Sequence, residues 1–419
     1  LKGFYTLCGG GTHFWSLKLF SLLFMAAYLF LGKYGVKKIF DEKTAVYFML
    51  FSLLMPSMCV QAGNARMYAM GLFFFTATGL LAWGILQEST GKKWILFCLC
   101  SVGSVYSHTF TMLQTFILYL ILLGALLWRK KYALIKWYLG SGLAVAACYT
   151  VWLSVIYRQM QTRISSAGGN EEQFIPNMYT LMDYCKEWFS AMDTPITLVI
   201  YLGMALTLFL GYYAVDSMRD SGCYVPAWGM AILGLTALAG GLLSYYVTPC
   251  FLGRYIFCGF GALALWYAVG MKRIASRGIK TAVMLAFLLC FVLQYRSELG
   301  LEYDKGLQEY QRFYEDNVQA DDLIMATDIH TLYLNIYHPE RQYMAYGYLP
   351  PFSPFRNTTV FTEWEQLADV TGTIWLYAFA DRDLPGFGPY YNCEPAFQFH
   401  YMYYDFVIYR LVPADKNQI

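Results

Sequence analysis

The chain has 419 residues, of which 58% are hydrophobic and 14% charged, with a net charge of +2 and a mean hydropathy of +0.40. Soluble domains carry about 25% charged residues, so this composition speaks against a water-soluble globule. The small net charge speaks against a nucleic-acid binder, which usually shows a strong basic bias.

A helix needs about 20 apolar residues to cross the hydrocarbon of a bilayer. In chain order, apolar runs fall at 14–32, 44–62, 66–86, 93–108, 109–128, 134–157, 193–214, 225–247, 255–271 and 279–297. They predict an α-helical polytopic membrane protein with about ten transmembrane helices. Apolar and polar residues do not alternate strictly, which argues against a membrane β-barrel. No charged segment with a cleavage site precedes the first run, so a removed signal peptide is not expected.

The break at Ser107-His108 rests on charge. With residue 1 outside, the inner loops are 33–43, 87–93, 129–136, 215–224 and 272–280, which hold fifteen Lys and Arg residues. The short outer loops hold little beyond Arg66 and Arg254. That is the cytoplasmic Lys/Arg bias expected of short loops. Merging 93–108 with 109–128 would reverse half of them. The longest loop, 158–192, falls outside, and Met178, Leu181, Met182, Cys185 and Phe189 recur in it at helical spacing. They predict an interfacial helix over 176–190, either a lid or a plain connector.

The transmembrane domain is expected over 1–297, and a small α/β domain over 298–419 on the extracytoplasmic side. In that tail, 307–318 and 329–337 read as helices, 322–327 and 373–379 as strands, and 397–401 with 405–411 as a closing hairpin. No glycine-rich phosphate loop follows either early strand, so nucleotide binding is not indicated. Asn357-Thr358-Thr359 fits a glycosylation sequon, a short pattern that also arises by chance. Cys59, Cys98, Cys100, Cys148, Cys258 and Cys290 lie in apolar runs and read as packing residues. Cys185 and Cys393 lie in polar segments, and their spacing leaves open whether they pair.

Charge near the membrane marks the candidate site. Arg66 and Arg254 each open a span on the outer side, at the same depth. Two guanidinium groups there suit bidentate binding of phosphate or pyrophosphate, or else snorkelling to lipid headgroups. His108, at the outer boundary of two spans, suits a sugar hydroxyl, a phosphate or a structural bond to a neighbouring helix. No second His or carboxylate lies at ligand spacing, so no metal site is expected.

The segments QAGNARMYAM (61–70), YSHTF (106–110) and TPCFLGRYIF (248–257), in this order and on one side, resemble the GT-C glycosyltransferases. The resemblance is to the family 39-like enzymes related to protein O-mannosyltransferases and aminoarabinose transferases. In the tail, ADDLIMA (320–326), YLNIYHP (333–339) and TIWLYAF (373–379) resemble the extracytoplasmic domain of bacterial members. The resemblance implies an inverting transfer from a polyprenyl-phosphate sugar to a glycan, lipid or protein acceptor, at the outer face of a bacterial cell membrane. It needs no metal or nucleotide cofactor. It assigns Arg66 and Arg254 to the donor phosphate, with Tyr68 and Tyr255 flanking them, while His108 stays a candidate by its position alone.

The family's catalytic Asp lies in the first external loop. Segment 1–14 resembles the end of that loop, so the Asp is expected upstream of Leu1. Asn64 stands where many relatives have Glu. Glu171, Glu172, Asp183, Glu187 and Asp193 are the carboxylates of the long outer loop, and most exposed carboxylates are simply solvated. A transporter or flippase of a lipid-linked precursor is the alternative. It would favour internal repeats and midplane charges, and the unusual charges here lie at one face. A membrane receptor or assembly protein ranks lower, since the tail has no long apolar interaction helix.

Overall fold

The computed structural model describes residues 14–64, 66–166, 196–246, 251–302, 305–327, 338, 341–346, 358–361, 372–380, 391–401 and 404–413. Contacts divide the chain into two units, Leu1–Arg296 and Ser297–Ile419.

The first unit is a helical bundle. Its elements are α1 (Phe14–Leu31), α2 (Glu42–Leu54), α3 (Pro56–Gly63), α4 (Tyr68–Gln87), α5 (Gly91–Ser107), α6 (Thr109–Trp128), α7 (Ile135–Ser166), α8 (Thr197–Ser221), α9 (Val225–Tyr246), α10 (Phe260–Arg273) and α11 (Arg277–Glu302). A π-helical turn, Gly32–Val36, extends α1, and a 3-10 segment, Gly253–Gly259, leads into α10. Among the described residues, eight helices are long and apolar enough to cross a membrane, or nine if the bent pair α2–α3 counts as one. That is fewer than the ten runs read from sequence. α5 has 17 residues, at the short limit for a span. The run 44–62 is two helices bent by 68°. Pro56 disfavours α geometry at the residue before it, and Met55 is extended, with ψ 115°.

Many outward-facing side chains are apolar. Leu143 is 71% exposed, Val151 74% and Leu208 76%. A water-facing surface would not hold so much contiguous apolar area, so the long helices suggest a multi-pass membrane protein. Inside, hydroxyl groups bridge neighbouring helices. Tyr28 Oη and Ser52 Oγ lie 2.9 Å apart, Ser104 Oγ and Thr115 Oγ1 2.8 Å, and Thr207 Oγ1 and Tyr267 Oη 2.7 Å. Such bonds hold helices together where no hydrophobic driving force acts between them.

The break at Ser107-His108 is a sharp reversal. His108 is extended, at φ −161° and ψ 147°. The Ser104–Thr115 bond and the 3.3 Å bond from Tyr119 Oη to Ser101 Oγ set α5 antiparallel to α6.

All five loops read as inner meet at one end of the bundle. Lys272 pairs with Asp41, and Arg273 pairs with Asp216 and Asp220, each at 2.6 Å. Lys131 Nζ donates to the Leu86 carbonyl at 2.6 Å, and Arg129 lies 4.9 Å from the centre of the Trp83 ring. Trp83 in turn packs on Trp228 of α9, with ring centres 5.5 Å apart.

The second unit holds α12 (Lys305–Asn317) and six strands: β1 (Leu323–Ala326), β2 (Tyr343–Tyr346), β3 (Thr358–Phe361), β4 (Ile374–Phe379), β5 (Tyr391–Tyr401) and β6 (Tyr404–Pro413). They form one sheet in the order β3-β2-β1-β4-β6-β5. β3, β2, β1 and β4 run parallel, and β6 and β5 add an antiparallel hairpin at one edge. The edge strand β5 carries Pro395 at a register shift, a device that discourages pairing with another chain. Asp322 fastens the entry to the sheet. Its carboxylate accepts from Gln319 N at 2.8 Å, Thr373 N at 2.8 Å and Trp375 Nε1 at 2.9 Å. α12 packs Phe313 on Phe397 (4.7 Å) and Tyr310 on Phe399 (5.1 Å).

The proposed interfacial helix 176–190, the stretch 329–337, Asn357, Cys185 and the five loop carboxylates lie outside the described residues. Cys393 is a free thiol.

Candidate functional site

At the bundle end opposite the lysine-rich loops, three chain segments meet. The 64–67 turn brings Arg66 and Tyr68. Ser21 of α1, fully buried, donates to the Asn64 carbonyl at 2.5 Å and the Arg66 carbonyl at 3.1 Å. The α5–α6 reversal brings His108, whose Nδ1 accepts from Phe110 N at 3.2 Å. That bond caps α6. It needs an unprotonated Nδ1, which leaves Nε2 as the protonated donor of the neutral ring. The 3-10 segment brings Arg254 and Tyr255.

This third segment is fixed on three sides. Gln114 Nε2 of α6 donates to the Ile256 carbonyl at 3.2 Å. Cys258 Sγ lies 3.7 Å from the Tyr68 carbonyl oxygen. Phe251 N donates to Ser244 Oγ of α9 at 2.8 Å. Close approach to α4 depends on Gly71, where an added Cβ would come within 2.5 Å of Cys258 Sγ.

The result is a cluster of rings and guanidinium groups. The His108 ring lies 4.6 Å from Tyr255 and 5.7 Å from Tyr68. Arg254 lies 6.0 Å from the centre of the Tyr255 ring. Both Arg254 and Arg66 act electrostatically on the Tyr68 hydroxyl, and Arg254 also acts on His108. Arg66 is exposed and Arg254 partly buried. No carboxylate pairs with Arg66 among the described residues.

All five residues singled out from sequence therefore share one site. Phe110 and Phe251 were missed. Phe110 stacks on Tyr255 at 5.2 Å and meets Phe251 at 4.9 Å, and nothing in an apolar run distinguishes a phenylalanine beside a site from one in the core. Gln114 was also missed, although a fully buried amide inside an apolar run was a legible signal. Among the described residues no His, Cys, Asp or Glu cluster could hold a metal ion.

No family model matches the chain, and no curated protein matches it significantly.

Proposed function

We propose that the chain is a membrane glycosyltransferase of the GT-C type, binding a polyprenyl-phosphate sugar through Arg66 and Arg254. The observation that carries this reading is their placement. Both arginines stand at one bundle end around Tyr68, His108 and Tyr255, while the lysine-rich loops gather at the other. By the cytoplasmic bias of basic loops, the arginine end is extracytoplasmic. The last span then carries the tail to that same side of a bacterial cell membrane. The donor's isoprenoid chain lies in the bilayer, and its phosphate reaches the arginines at the surface.

In the reaction, an acceptor hydroxyl oxygen attacks the anomeric carbon as the carbon–phosphate oxygen bond breaks. The configuration inverts, and the hydroxyl proton passes to a carboxylate. The bond electrons stay on the departing polyprenyl phosphate, and the two guanidinium groups stabilise that added charge. His108 Nε2–H donates to a phosphate oxygen or a sugar hydroxyl. By the family resemblance, the accepting carboxylate is an aspartate of the first external loop.

Binding tests the reading without requiring that carboxylate. A fluorescent short-chain polyprenyl phosphate is titrated into the purified protein in detergent. Arg66→Ala and Arg254→Ala are each expected to weaken binding by about tenfold or more, the loss of one charge-assisted contact. Wild-type affinity in both variants overturns the donor site.

A further inference from the structure

An apolar groove lies at the opposite end of the bundle. α2 and α11 both start at the lysine-rich end and meet through aromatic rings, leaving open space beside that contact. α11 reaches the bundle through Phe287, which packs on Phe51 at 4.7 Å and Tyr267 at 5.1 Å. Beside that contact runs an open groove of about 300 Å³. Tyr47 and Leu54 of α2, Met271 of α10, and Lys280, Leu285 and Leu288 of α11 line it. From Tyr47 to Leu54, its wall spans about 10 Å along the helix.

The groove is apolar along its length and cationic at its mouth. Lys280 Nζ sits 5.9 Å from the centre of the Tyr47 ring, and no carboxylate pairs with it among the described residues. Lys43 lies one helical turn before Tyr47, on the same face, and Arg277 opens α11 one turn before Lys280. The neighbouring acids are already engaged: Asp41 with Lys272 and Glu42 with Lys37. Leu285 is 59% exposed, so the groove opens outward, toward hydrocarbon in a membrane.

We infer that this groove holds one anionic glycerophospholipid, with an acyl chain between α2 and α11 and the headgroup phosphate on Lys280. The inference rests on the membrane placement proposed above and not on sugar transfer.

Native mass spectrometry of the purified protein, with added phosphatidylglycerol or phosphatidylcholine of matched chains, tests it. One phosphatidylglycerol is retained where phosphatidylcholine is not. Lys280→Ala weakens its binding about tenfold, and Lys92→Ala, which removes a cation of the same end away from the groove, leaves it unchanged. Should Lys280→Ala fail to fold, Leu288→Trp fills the groove from an exposed position and abolishes retention. Equal retention of both lipids, no change in Lys280→Ala or Leu288→Trp, an equal loss in Lys92→Ala, or retention of polyprenyl phosphate alone would each overturn the inference. Arg66→Ala leaves phosphatidylglycerol retention intact, so the two lipid sites fail or stand separately.

Discussion

Cys258 Sγ rests 3.7 Å from the carbonyl oxygen of Tyr68, one turn before Gly71 in α4. This contact sets the distance between two candidate substrate residues, Tyr68 and Tyr255, that lie 187 positions apart in the chain.

Gly71→Leu should push the 3-10 segment off α4. Overpacking of this kind costs about 1–3 kcal/mol. Gly71→Leu is expected to lower the unfolding temperature in detergent and to weaken polyprenyl-phosphate binding, whereas Gly63→Ala, where an added Cβ meets nothing within 4 Å, leaves both near wild type. Thermal unfolding and the binding titration read the two effects separately.

His108 combines a structural and a proposed chemical role, and two substitutions split them. His108→Ala removes the cap of α6, at a cost of about 1 kcal/mol. His108→Asn keeps a capping oxygen but loses the ring donor. The Asn variant is expected to unfold near the wild-type temperature while binding the polyprenyl phosphate more weakly. Wild-type binding by His108→Asn removes the histidine from the donor site.

Much of this site was legible in the sequence, because Arg66, His108 and Arg254 break long apolar runs where charge is costly. The reversal at His108 was legible because only a split there keeps the Lys and Arg loops on one side. The bend at Pro56 was not, since apolar composition continues through Met55 and Pro56 and a hydropathy window averages over a kink. In the tail, β1, β4 and the β5–β6 hairpin were foreseen, but β2 and β3 were not. Four residues such as Tyr343–Tyr346 give too short a pattern to reveal a period of two. Ser21, which pins the Arg66 turn, gave no signal, because its partners are backbone carbonyls 43 and 45 residues away.

Asp322→Ala should loosen the second unit. The substitution leaves two backbone amides and one indole N–H without their acceptor, and bonds to a charged group contribute about 1.5–3 kcal/mol each. Hydrogen exchange of the intact protein is expected to quicken at least about tenfold over 323–326 and 374–379. Unchanged protection there would show that other contacts hold the sheet entry.

Asp41 gives a dependence on pH. Burial raises its pKa, but the Lys272 ammonium and the Thr44 amide outweigh that and hold it below the ordinary 3.8. A depressed carboxyl stabilises the fold above its unfolded pKa, and that contribution fades as pH falls through the folded value. Asp41→Asn keeps the cap of α2 and removes the ion pair, a loss of about 1 kcal/mol or less at this exposure. The gap in unfolding temperature between wild type and Asp41→Asn is expected to be constant from pH 7 to about 5 and to shrink below about pH 4.

The brevity of α5 bears on the lipid around it. Its 17 residues reach about 26 Å, against a hydrocarbon slab of about 30 Å. Ile95 and Leu99 face outward, so in a bilayer lipids would contact this short wall directly. Matching it requires the surrounding leaflets to pinch inward by several ångströms or α5 to pull its end residues into the slab. A thin membrane would accommodate the protein at lower cost than a thick, sterol-rich one.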